Sequence, residues 1–352
     1  MRIAFYHYRL PQRGRKPGGV QVFVDRLASA LQCGGHEVTV FTFARPAESR
    51  QYNIELLRPR LAADSRVLRL YLAPWLLNFR PFQPTRFDVA HLHGDDWFYM
   101  RRRVPTVRTF YGSALLEALT ATSLRRRVNQ TIVFGLEQLA RAKADAVYGI
   151  GPDSKLLSRA DGILECGVDL SRSTPEPVDV PTILFVGTWR GRKRGSMLAR
   201  VFSEEIRPRL SGAELWMVSD HAETSEGIRW FPAPTDEELE DLYRRAWVFC
   251  LPSSYEGLGL PYLEALANRL PVVATPNPGA EYVLSGGDYG IITEPHALGE
   301  VLLRLLMDAA SRAELANKGT QRVSDFSWDR IVTQHEAAYE LAIERFAGRQ
   351  RR

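Results

Sequence analysis

A glycine-rich segment in the second half of the chain carries the most information about the fold. Residues 254–264 read Ser-Tyr-Glu-Gly-Leu-Gly-Leu-Pro-Tyr-Leu-Glu, with carboxylates at Glu256 and Glu264. The apolar residues Trp247–Leu251 precede it, and a helical pattern starts at Leu260. Glycine lets a backbone turn sharply and approach a ligand closely. The order predicts a buried strand, a tight turn, and then a helix whose first N–H groups face an anion.

A second segment places four cations directly after another apolar strand. Residues 185–195 read Phe-Val-Gly-Thr-Trp-Arg-Gly-Arg-Lys-Arg-Gly. Arginine and lysine are the usual partners of a diphosphate, and ligands of doubly wound sheets bind where strands end. A solvated run of charge is the alternative interpretation. Further along, Thr235 and Glu238 have the spacing of a capping box, which we interpret as structural.

Short apolar stretches alternate with helical patterns along the whole chain. The strands predicted in the first half are Ile3–Tyr8, Val38–Phe43, Asp88–His93, Thr106–Phe110 and Ala146–Ile150. Those in the second half are Thr182–Val186, Glu214–Val218, Trp247–Leu251 and Val272–Ala274. The helices predicted with them are about Val20–Gln32, Asp236–Arg245, Leu260–Asn268, Ala297–Ala310 and Trp328–Phe346. This alternation predicts an α/β protein with parallel, doubly wound, Rossmann-like sheets.

Length and composition predict two domains of ordinary globular character. The 352 residues exceed one typical domain, and the proline-rich segment Ser173–Pro181 lacks periodicity. We therefore predict an N-terminal domain over 1–172, a C-terminal domain over 173–327 and a last helix over 328–352 that could pack back on the N-terminal domain. Ligands of such a pair of domains would bind in the cleft between their sheets.

The remaining composition favours a cytoplasmic protein. No apolar run reaches the roughly 18 residues of a membrane-spanning helix, and the N-terminus lacks a signal-peptide pattern. The cysteines are odd in number and far apart, at positions 33, 166 and 250, which indicates neither a disulfide framework nor a zinc site. A reducing compartment is the simplest one for such a chain.

Together these segments resemble the retaining glycosyltransferases of family four, which have the two-domain GT-B fold. The matching pieces are Gly167–Asp169, the basic loop Gly187–Gly195, Asp236–Ala246, Pro252–Ala265 and Pro271–Thr275. The resemblance covers about residues 145–335 and rests most on the motif in which seven residues separate Glu256 from Glu264. The N-terminal half matches loosely.

The resemblance implies a nucleotide-sugar donor held mainly by the second domain and an acceptor hydroxyl as the other substrate. Glu264 would bind the ribose of the nucleotide, and Glu256 would lie near the donor sugar and the chemistry. The turn between them would supply backbone contacts to sugar hydroxyls and phosphate, from Gly257, Leu258, Gly259 and Leu260. Transfer would retain the anomeric configuration, with the leaving phosphate assisting deprotonation of the acceptor.

The same resemblance assigns the basic loop to the leaving diphosphate. Lys193 or Arg194 would neutralise it. Family members often have arginine where this chain has Thr188, so Arg190 or Arg192 would substitute for that arginine. No metal or other cofactor is expected, because no Asp-x-Asp-like loop follows a strand in the second half.

Several residues of the first half are candidates for contacts with the donor or the acceptor. Gly18 and Gly19 resemble the family loop whose backbone approaches the donor phosphate and the acceptor. Family members often have a histidine after the strand that ends at Phe110, where this chain has Tyr111, a residue that could bond the donor sugar. His93 and Asp95 then become alternative polar groups near the acceptor. The string from His91 to Asp96 has a metal-like composition, but it lies in the acceptor half.

Positive charge is concentrated in the first half of the chain. Residues 1–178 contain 26 Lys and Arg against 16 Asp and Glu, whereas residues 179–352 contain 20 against 25. This positive charge could attract an anionic membrane surface or an anionic acceptor. The alternative interpretation is an ordinary solvated surface without a specific partner. Arg13, Arg15 and Lys16 could meet an anionic acceptor. Arg66–Arg80 and Leu124–Lys143 combine cations with apolar residues, as do membrane-surface helices and ordinary sheet-covering helices.

Three alternative partners or activities remain to be weighed. Nucleic acid is disfavoured because no recognised binding motif accompanies the charge. An NAD-dependent dehydrogenase would need Gly-x-Gly-x-x-Gly after the first strand, and the segment after Tyr8 lacks that spacing. A non-catalytic nucleotide-sugar-binding protein of the same fold stays open, although the presence of both Glu256 and Glu264 argues against it.

Overall fold

Two parallel β-sheets organise the computed structural model of the chain. The structure describes residues 1–12, 18–44, 46, 49–57, 75, 77–78, 86–100, 103–119, 121, 123–152, 160–170, 174–223 and 225–351. One compact unit comprises Met1–Gly167 with Trp328–Arg352, and the other comprises Val168–Ser327. Each unit contains one sheet, and the predicted α/β, doubly wound fold class is confirmed.

The first unit is built on a seven-stranded sheet. Its strands are β1 (Arg2–Tyr6), β2 (Glu37–Thr42), β3 (Asn53–Leu56), β4 (Val89–Leu92), β5 (Thr106–Phe110), β6 (Ala146–Gly149) and β7 (Gly162–Ile163). Their order is β3-β2-β1-β4-β5-β6-β7, and every neighbouring pair is parallel. The direction of winding reverses between β1 and β4, so the loops that follow these two strands flank a crevice suited to ligands.

Helices cover this first sheet. They are α1 (Gly19–Cys33), α2 (Ala114–Leu119), α3 (Leu124–Arg141) and the C-terminal helix Trp328–Gln350. One face of α1 is buried, formed by Phe23, Val24, Leu27, Ala28 and Leu31, and Gly34 is its C-cap. The C-terminal helix packs against α1, β4, β5 and β6, so it belongs to the first unit although 160 residues of the second unit separate it in sequence.

The second unit is built on a six-stranded sheet. Its strands are β8 (Thr182–Val186), β9 (Glu214–Val218), β10 (Ile228–Phe231), β11 (Val248–Leu251), β12 (Val272–Ala274) and β13 (Ile291–Ile292). Their order is β10-β9-β8-β11-β12-β13. The helices are α4 (Gly195–Val201), α5 (Asp236–Arg245), α6 (Leu260–Ala267), α7 (Pro278–Val283), α8 (Leu298–Met307) and α9 (Ala309–Val323). The winding reverses between β8 and β11, which places the ligand crevice of this unit at their carboxyl ends.

Some elements differ from the sequence prediction for identifiable reasons. The strand β10 was not predicted because two of its four residues, Arg229 and Trp230, are exposed at the sheet edge and break the apolar pattern. The helix predicted over Ala297–Ala310 ends at Met307. Asp308 leaves the helical conformation there, and its side chain accepts a hydrogen bond from the Ser311 backbone N–H at 3.0 Å, which starts α9.

The proline-rich segment is attached to the second unit over its described part. The Glu176 and Val178 backbone N–H groups donate to the carbonyls of Arg244 and Arg245 at the end of α5. The Trp247 indole also donates to the Val178 carbonyl at 2.6 Å. Residues 174–181 therefore lie on the second unit, and the units divide between residues 167 and 168 rather than at residue 172.

The chain passes from the first unit to the second between Gly167 and Val168, and each of these residues has a contact within its own unit. A Cβ atom on Gly167 would lie 2.5 Å from the ring of Trp328, so these two residues are in close contact within the first unit. The next residue, Val168, donates its backbone N–H to the Phe326 carbonyl at 3.0 Å within the second unit.

Candidate functional site

The two sequence segments that predicted a ligand site follow adjacent parallel strands. β8 pairs with β11 through Ile183 with Val248 and Leu184 with Phe249. Because both strands run in the same direction, the basic loop after β8 and the glycine-rich turn after β11 emerge at the same edge of the sheet. The Ser254 backbone N–H donates to the Arg192 carbonyl at 2.8 Å, which joins the two segments directly.

The basic loop folds into a compact turn with its cations close together. Gly187 is required because a Cβ there would lie 2.8 Å from the Phe185 ring and 3.1 Å from the Lys193 Cβ. A 3₁₀ turn spans Gly191–Lys193, and Arg194 then adopts the left-handed conformation at φ 56° before α4 begins. That conformation is uncommon for a residue other than glycine. The loop therefore holds the Arg194 cation at a backbone cost of about 1 kcal/mol.

A residue after β9 anchors this loop. The Asp220 carboxylate accepts a hydrogen bond from the Trp189 backbone N–H at 2.7 Å. The indole of Trp189 is buried, and its ring meets the imidazole of His221 edge-on at 5.5 Å. Asp220 was not predicted from the sequence, because its role depends on strand order, which brings the ends of β8 and β9 together.

Glu256 is buried, and its side chain has two cationic partners and a hydroxyl. Its Oε1 atom lies 2.7 Å from the Lys193 ammonium and accepts a hydrogen bond from the Ser253 hydroxyl at 2.7 Å. Its Oε2 atom accepts from the Arg192 guanidinium at 2.9 Å, and the same guanidinium nitrogen donates to the Tyr255 carbonyl. The carboxylate thus holds together two neighbouring cations that would otherwise repel each other.

The protonation states follow from burial and from these contacts. Burial alone would raise the pKa of Glu256, but the charges of Lys193 and Arg192 outweigh it and hold this pKa below its ordinary value. Burial lowers the pKa of Lys193, and attraction to Glu256 opposes that shift. Glu256 is therefore an ionised carboxylate at neutral pH and a poor proton donor.

The turn between the two carboxylates requires glycine. Gly259 has φ 84°, and a Cβ there would overlap the ring of Tyr262. The helix α6 then starts at Leu260, with Pro261 in its first turn, where the missing N–H of proline costs no hydrogen bond. Leu258 is buried and Gly257 is partly exposed. The predicted strand, turn and helix are confirmed in this segment.

Glu264 lies on α6 and is bound by a buried tyrosine. The Tyr243 hydroxyl donates to the Glu264 Oε2 atom at 3.0 Å. Glu264 is partly exposed, and its charge raises the pKa of Lys193 from a distance. The structure therefore places both carboxylates of the motif in the surroundings of one ammonium group.

The other two cations of the loop are Arg190 and Arg194. Arg190 lies on the surface, and Arg194 is partly buried. Within the part of the chain that the structure describes, neither side chain has an ion-pair partner. Of the two residues predicted to substitute for the arginine that Thr188 replaces, Arg192 is already bonded to Glu256.

The residues of the first half that we consider for contacts with the donor or the acceptor lie in the first unit. Gly18 is the N-cap of α1, and Gly19 is the first helical residue. A Cβ on Gly18 would meet no atom within 4 Å, so packing within the described residues does not explain why glycine stands there. The Gly18 backbone N–H donates to the Gln21 side chain at 3.2 Å. This end of the helix is exposed, as a backbone that receives a ligand must be.

His93 and Tyr111 are in direct contact at the carboxyl ends of β4 and β5. The His93 Nδ1 atom and the Tyr111 hydroxyl are 2.5 Å apart. His93 is only 1% exposed, whereas Tyr111 is partly exposed. Burial, and then the neighbouring cationic forms of His91 and His7, lower the pKa of His93 well below its ordinary value. His93 is therefore neutral at pH 7, and Tyr111 is the member of the pair that is open to solvent.

In the segment from His91 to Asp96, whose composition resembles a metal site, His91 and Asp96 are bonded to other buried side chains. His91 bonds the hydroxyls of Tyr339 at 3.0 Å and Thr109 at 2.8 Å, and Asp96 forms a buried ion pair with Arg108. Asp95 is partly exposed and has φ 53°. Among the described residues, no group of three or more His, Cys, Asp and Glu side chains could hold a metal ion.

Two predicted surfaces fall largely or wholly outside the described residues. Arg13, Arg15 and Lys16 lie outside them, as does most of the stretch 66–80. The other membrane candidate, Leu124–Lys143, contains the helix α3. In the described part of the chain, no helix is both long enough and apolar enough to cross a membrane.

Comparisons with known proteins agree with the fold and with the sequence motifs. A model of the family "Glycosyl transferases group 1" matches residues 169–322, and a model of "Glycosyltransferase Family 4" matches residues 17–172. The MMP alpha-(1->4)-mannosyltransferase of Mycolicibacterium hassiacum is 39% identical over 360 residues, which cover 97% of this chain and 85% of that protein.

Solved structures with the same fold cover nearly the whole chain. Sucrose-phosphate synthase from Thermosynechococcus elongatus superposes with a TM-score of 0.79 at 20% identity, over 98% of this chain and 99% of that one. Anabaena HepE, in complex with UDP and glucose, gives a TM-score of 0.71 at 16% identity, over 97% and 99%. The chain belongs to the group 1, family 4 glycosyltransferases and is a glycosyltransferase with the GT-B fold.

Proposed function

We propose that this glycosyltransferase moves a hexose from a nucleotide-sugar donor to an acceptor hydroxyl with retention of anomeric configuration. The single observation that supports it most is the joint position of the basic loop and the glycine-rich turn. Their contacts gather Lys193, Arg192, Glu256 and the start of α6 at the carboxyl ends of β8 and β11. Cations and backbone N–H groups at such an edge are suited to a diphosphate.

The leaving group is the part of the reaction that the second unit is built to stabilise. Breaking the bond between sugar and phosphate builds positive charge on the sugar carbon and negative charge on the diphosphate. Lys193 is the central cation in our proposal, with Arg190 and Arg194 as further partners. Because Glu256 keeps Lys193 charged and in place, the ammonium needs little reorganisation when the diphosphate departs.

The remaining contacts would hold the nucleotide and the sugar. Glu264 would accept hydrogen bonds from the ribose hydroxyls, and Glu256 would lie near the donor sugar as an ionised group. Backbone contacts would come from Gly257, Leu258, Gly259 and Leu260. The cations around Glu256 hold its pKa low, which makes this carboxylate a weak base, so we assign acceptor deprotonation to the leaving phosphate on the same face of the sugar, which gives retention.

In the first unit, we propose that Tyr111 contacts the donor sugar and that His93 acts behind it, near the acceptor. His93 is almost fully buried, so its route to a substrate passes through the hydrogen bond to the Tyr111 hydroxyl. Asp95 and the backbone of Gly18 and Gly19 complete this group. If both His93→Ala and Asp95→Ala keep full turnover, the assignment of these two residues is wrong.

We also propose that the reaction needs no metal ion. The loop after β8 already supplies the positive charge that a divalent cation would bring to a diphosphate. Turnover in the presence of a chelator should therefore equal turnover with added magnesium or manganese. A loss of activity with the chelator that either metal restores would contradict this part of the proposal.

The choice of donor is best approached through a panel. One relative is named a mannosyltransferase, and one structural neighbour was solved with UDP and glucose, so GDP-mannose and UDP-glucose come first. Binding to the native state raises its apparent stability, which a thermal-shift assay reads directly. We expect one donor to raise the melting temperature of the wild type and not of Lys193→Ala. Shifts that are equal in both proteins would count against the proposed site.

We propose that the helix α3 binds an anionic membrane surface. Its inner face packs through Leu136 and Ala140 on Trp97 and Phe98. Large apolar side chains at helical spacing remain exposed on it, namely Leu124, Val128, Ile132 and Leu139. Three exposed arginines, Arg125, Arg126 and Arg127, adjoin them. Each cation near an anionic bilayer is worth about 1 kcal/mol, and exposed apolar side chains add to that attraction.

Co-sedimentation with vesicles tests the membrane proposal. The wild type should bind vesicles that contain about a third phosphatidylserine at low salt, and binding should fall when the three arginines of α3 are replaced by glutamine. Phosphatidylcholine vesicles are the control. Failure to bind anionic vesicles at low salt would remove the membrane from the proposed partners.

A further inference from the structure

A buried tyrosine lies directly behind the carboxylate that we assign to the ribose. Tyr243 is 3% exposed, and its hydroxyl donates to the Glu264 Oε2 atom at 3.0 Å. The two residues come from different helices, α5 and α6, and are separated by 21 positions in sequence. This contact is therefore a product of the tertiary fold.

The tyrosine is held rigidly, whereas the glutamate is not fixed by burial. The Tyr243 ring packs on the ring of Phe249 in β11 with centroids 5.6 Å apart. The helix α5 is fixed at its start by a complete capping box between Thr235 and Glu238. Glu264 is partly exposed and has three side-chain torsions, so without a partner it would sample several rotamers.

The direction of the hydrogen bond is well defined. Burial, and then the charge of Glu264, raise the pKa of Tyr243 well above its ordinary value, so the phenol keeps its proton and donates. A carboxylate offers about four acceptor positions, and the bond from the Tyr243 phenol takes one of them.

We propose that Tyr243 is a positioning residue that orients the Glu264 carboxylate for the ribose of the nucleotide. This inference rests on the proposed function, because it needs Glu264 to bind the ribose. Tyr243 itself touches no substrate in this account. It acts by limiting the rotamers of Glu264 before the ligand arrives, which reduces the entropy lost on binding.

The expected effect is moderate and specific to ligands that contain ribose. Tyr243→Phe removes one hydroxyl and keeps the buried ring. We expect nucleoside-diphosphate affinity to fall about fivefold, which corresponds to about 1 kcal/mol. Inorganic pyrophosphate has no ribose, so its affinity should not change. A general loss of structure would weaken both ligands together.

Calorimetric titration of the full chain tests the inference. UDP, GDP and ADP are first compared with the wild type, and the tightest of them is used together with pyrophosphate. The variants are Tyr243→Phe, Glu264→Ala and the double variant. Tyr52→Phe is the matched control, because Tyr52 is a buried phenol that also donates to a carboxylate, that of Asp25, but in the first unit.

The double variant carries the decisive comparison. If Tyr243 acts through Glu264, Tyr243→Phe costs about fivefold in nucleotide affinity in the wild type and nothing in the Glu264→Ala background, which has no acceptor for the phenol. If Glu264→Ala weakens the nucleotide but Tyr243→Phe does not, or if its cost is the same in both backgrounds, the inference is overturned while the donor site stands. If Glu264→Ala leaves nucleotide binding unchanged, or no nucleotide binds, both proposals fail.

Discussion

The Lys193 ammonium and the Glu256 carboxylate form an ion pair of 2.7 Å whose side chains are only 15% and 6% exposed. Both residues stand in loops that follow central strands of the second sheet. Because β8 and β11 are neighbours, the loops that follow them bring this cation and this carboxylate together at one edge of the sheet. The buried carboxylate favours the charged form of the ammonium. Most of the predictions for the second unit depend on this relationship.

Removal of the carboxylate should destabilise the second unit. Glu256→Gln leaves Lys193 and Arg192 close together without their shared partner, and breaking a buried pair on one side costs about 3 kcal/mol. Chemical denaturation should show a loss of this size in the free energy of unfolding. Glu281→Gln, at an exposed carboxylate on α7, is the control and should stay within about 0.5 kcal/mol of the wild type. Equal stabilities of the two variants would contradict the structural role of Glu256.

Removal of the ammonium should weaken binding of the diphosphate itself. A hydrogen bond to a charged group is worth about 1.5–3 kcal/mol, so Lys193→Ala should reduce pyrophosphate affinity by about tenfold to a hundredfold. Arg190→Ala, at an exposed residue of the same loop, should reduce it only a fewfold. Calorimetric titration with pyrophosphate measures both. We expect the larger loss of affinity for Lys193→Ala. A larger loss for Arg190→Ala would indicate that the diphosphate binds at Arg190 instead.

The glycine of the turn should tolerate no side chain. Gly259→Ala introduces a Cβ at φ 84° that overlaps the ring of Tyr262, with an expected cost of about 2 kcal/mol or more. Gly135→Ala is the matched control, because Gly135 lies within α3 and a Cβ there meets no atom within 4 Å. That substitution should stabilise the protein by up to about 1 kcal/mol. Thermal unfolding of the two variants should thus move in opposite directions.

The buried histidines should make the first unit sensitive to acid. Burial lowers the pKa values of His91 and His93, and it lowers the pKa of His335 to about 4. Between about pH 6.5 and pH 4 the unfolded chain therefore binds more protons than the folded chain, and stability falls as the pH falls. Above pH 6.5, the stabilisation that comes from these neutral buried histidines should be fully present. Unfolding by urea at pH 7.5 and pH 5 measures the loss, which His335→Gln should reduce. A flat profile would contradict neutral burial of these rings.

The sequence predicts those parts of the fold and site that depend on local patterns. Thr182–Val186 is found at its predicted bounds because a central parallel strand is mostly apolar, and Thr106–Phe110, which contains the buried Arg108, is also found at its predicted bounds. The turn at Gly259 and the capping box at Thr235 are also local, since each is written in a few consecutive residues.

Contacts between elements are the parts that sequence patterns do not reveal. The helix residues Tyr243 and Glu264, and the loop residues Asp220 and Trp189, are in contact only because the sheet brings distant elements together. Burial is equally a property of the whole fold. His93 has the polar character of a site residue in the sequence, yet the structure buries it under Tyr111, which changes how it could reach a substrate.

Product analysis by nuclear magnetic resonance tests the central claim most directly. The full chain is incubated with the α-linked donor that the thermal-shift panel selects, and the anomeric proton of the first product is recorded before any released sugar can equilibrate. We predict release of the nucleoside diphosphate together with an α-configured product, and loss of both in Lys193→Ala. A β-configured product would contradict retention. The absence of nucleotide release with every donor of the panel would contradict the proposed transfer itself.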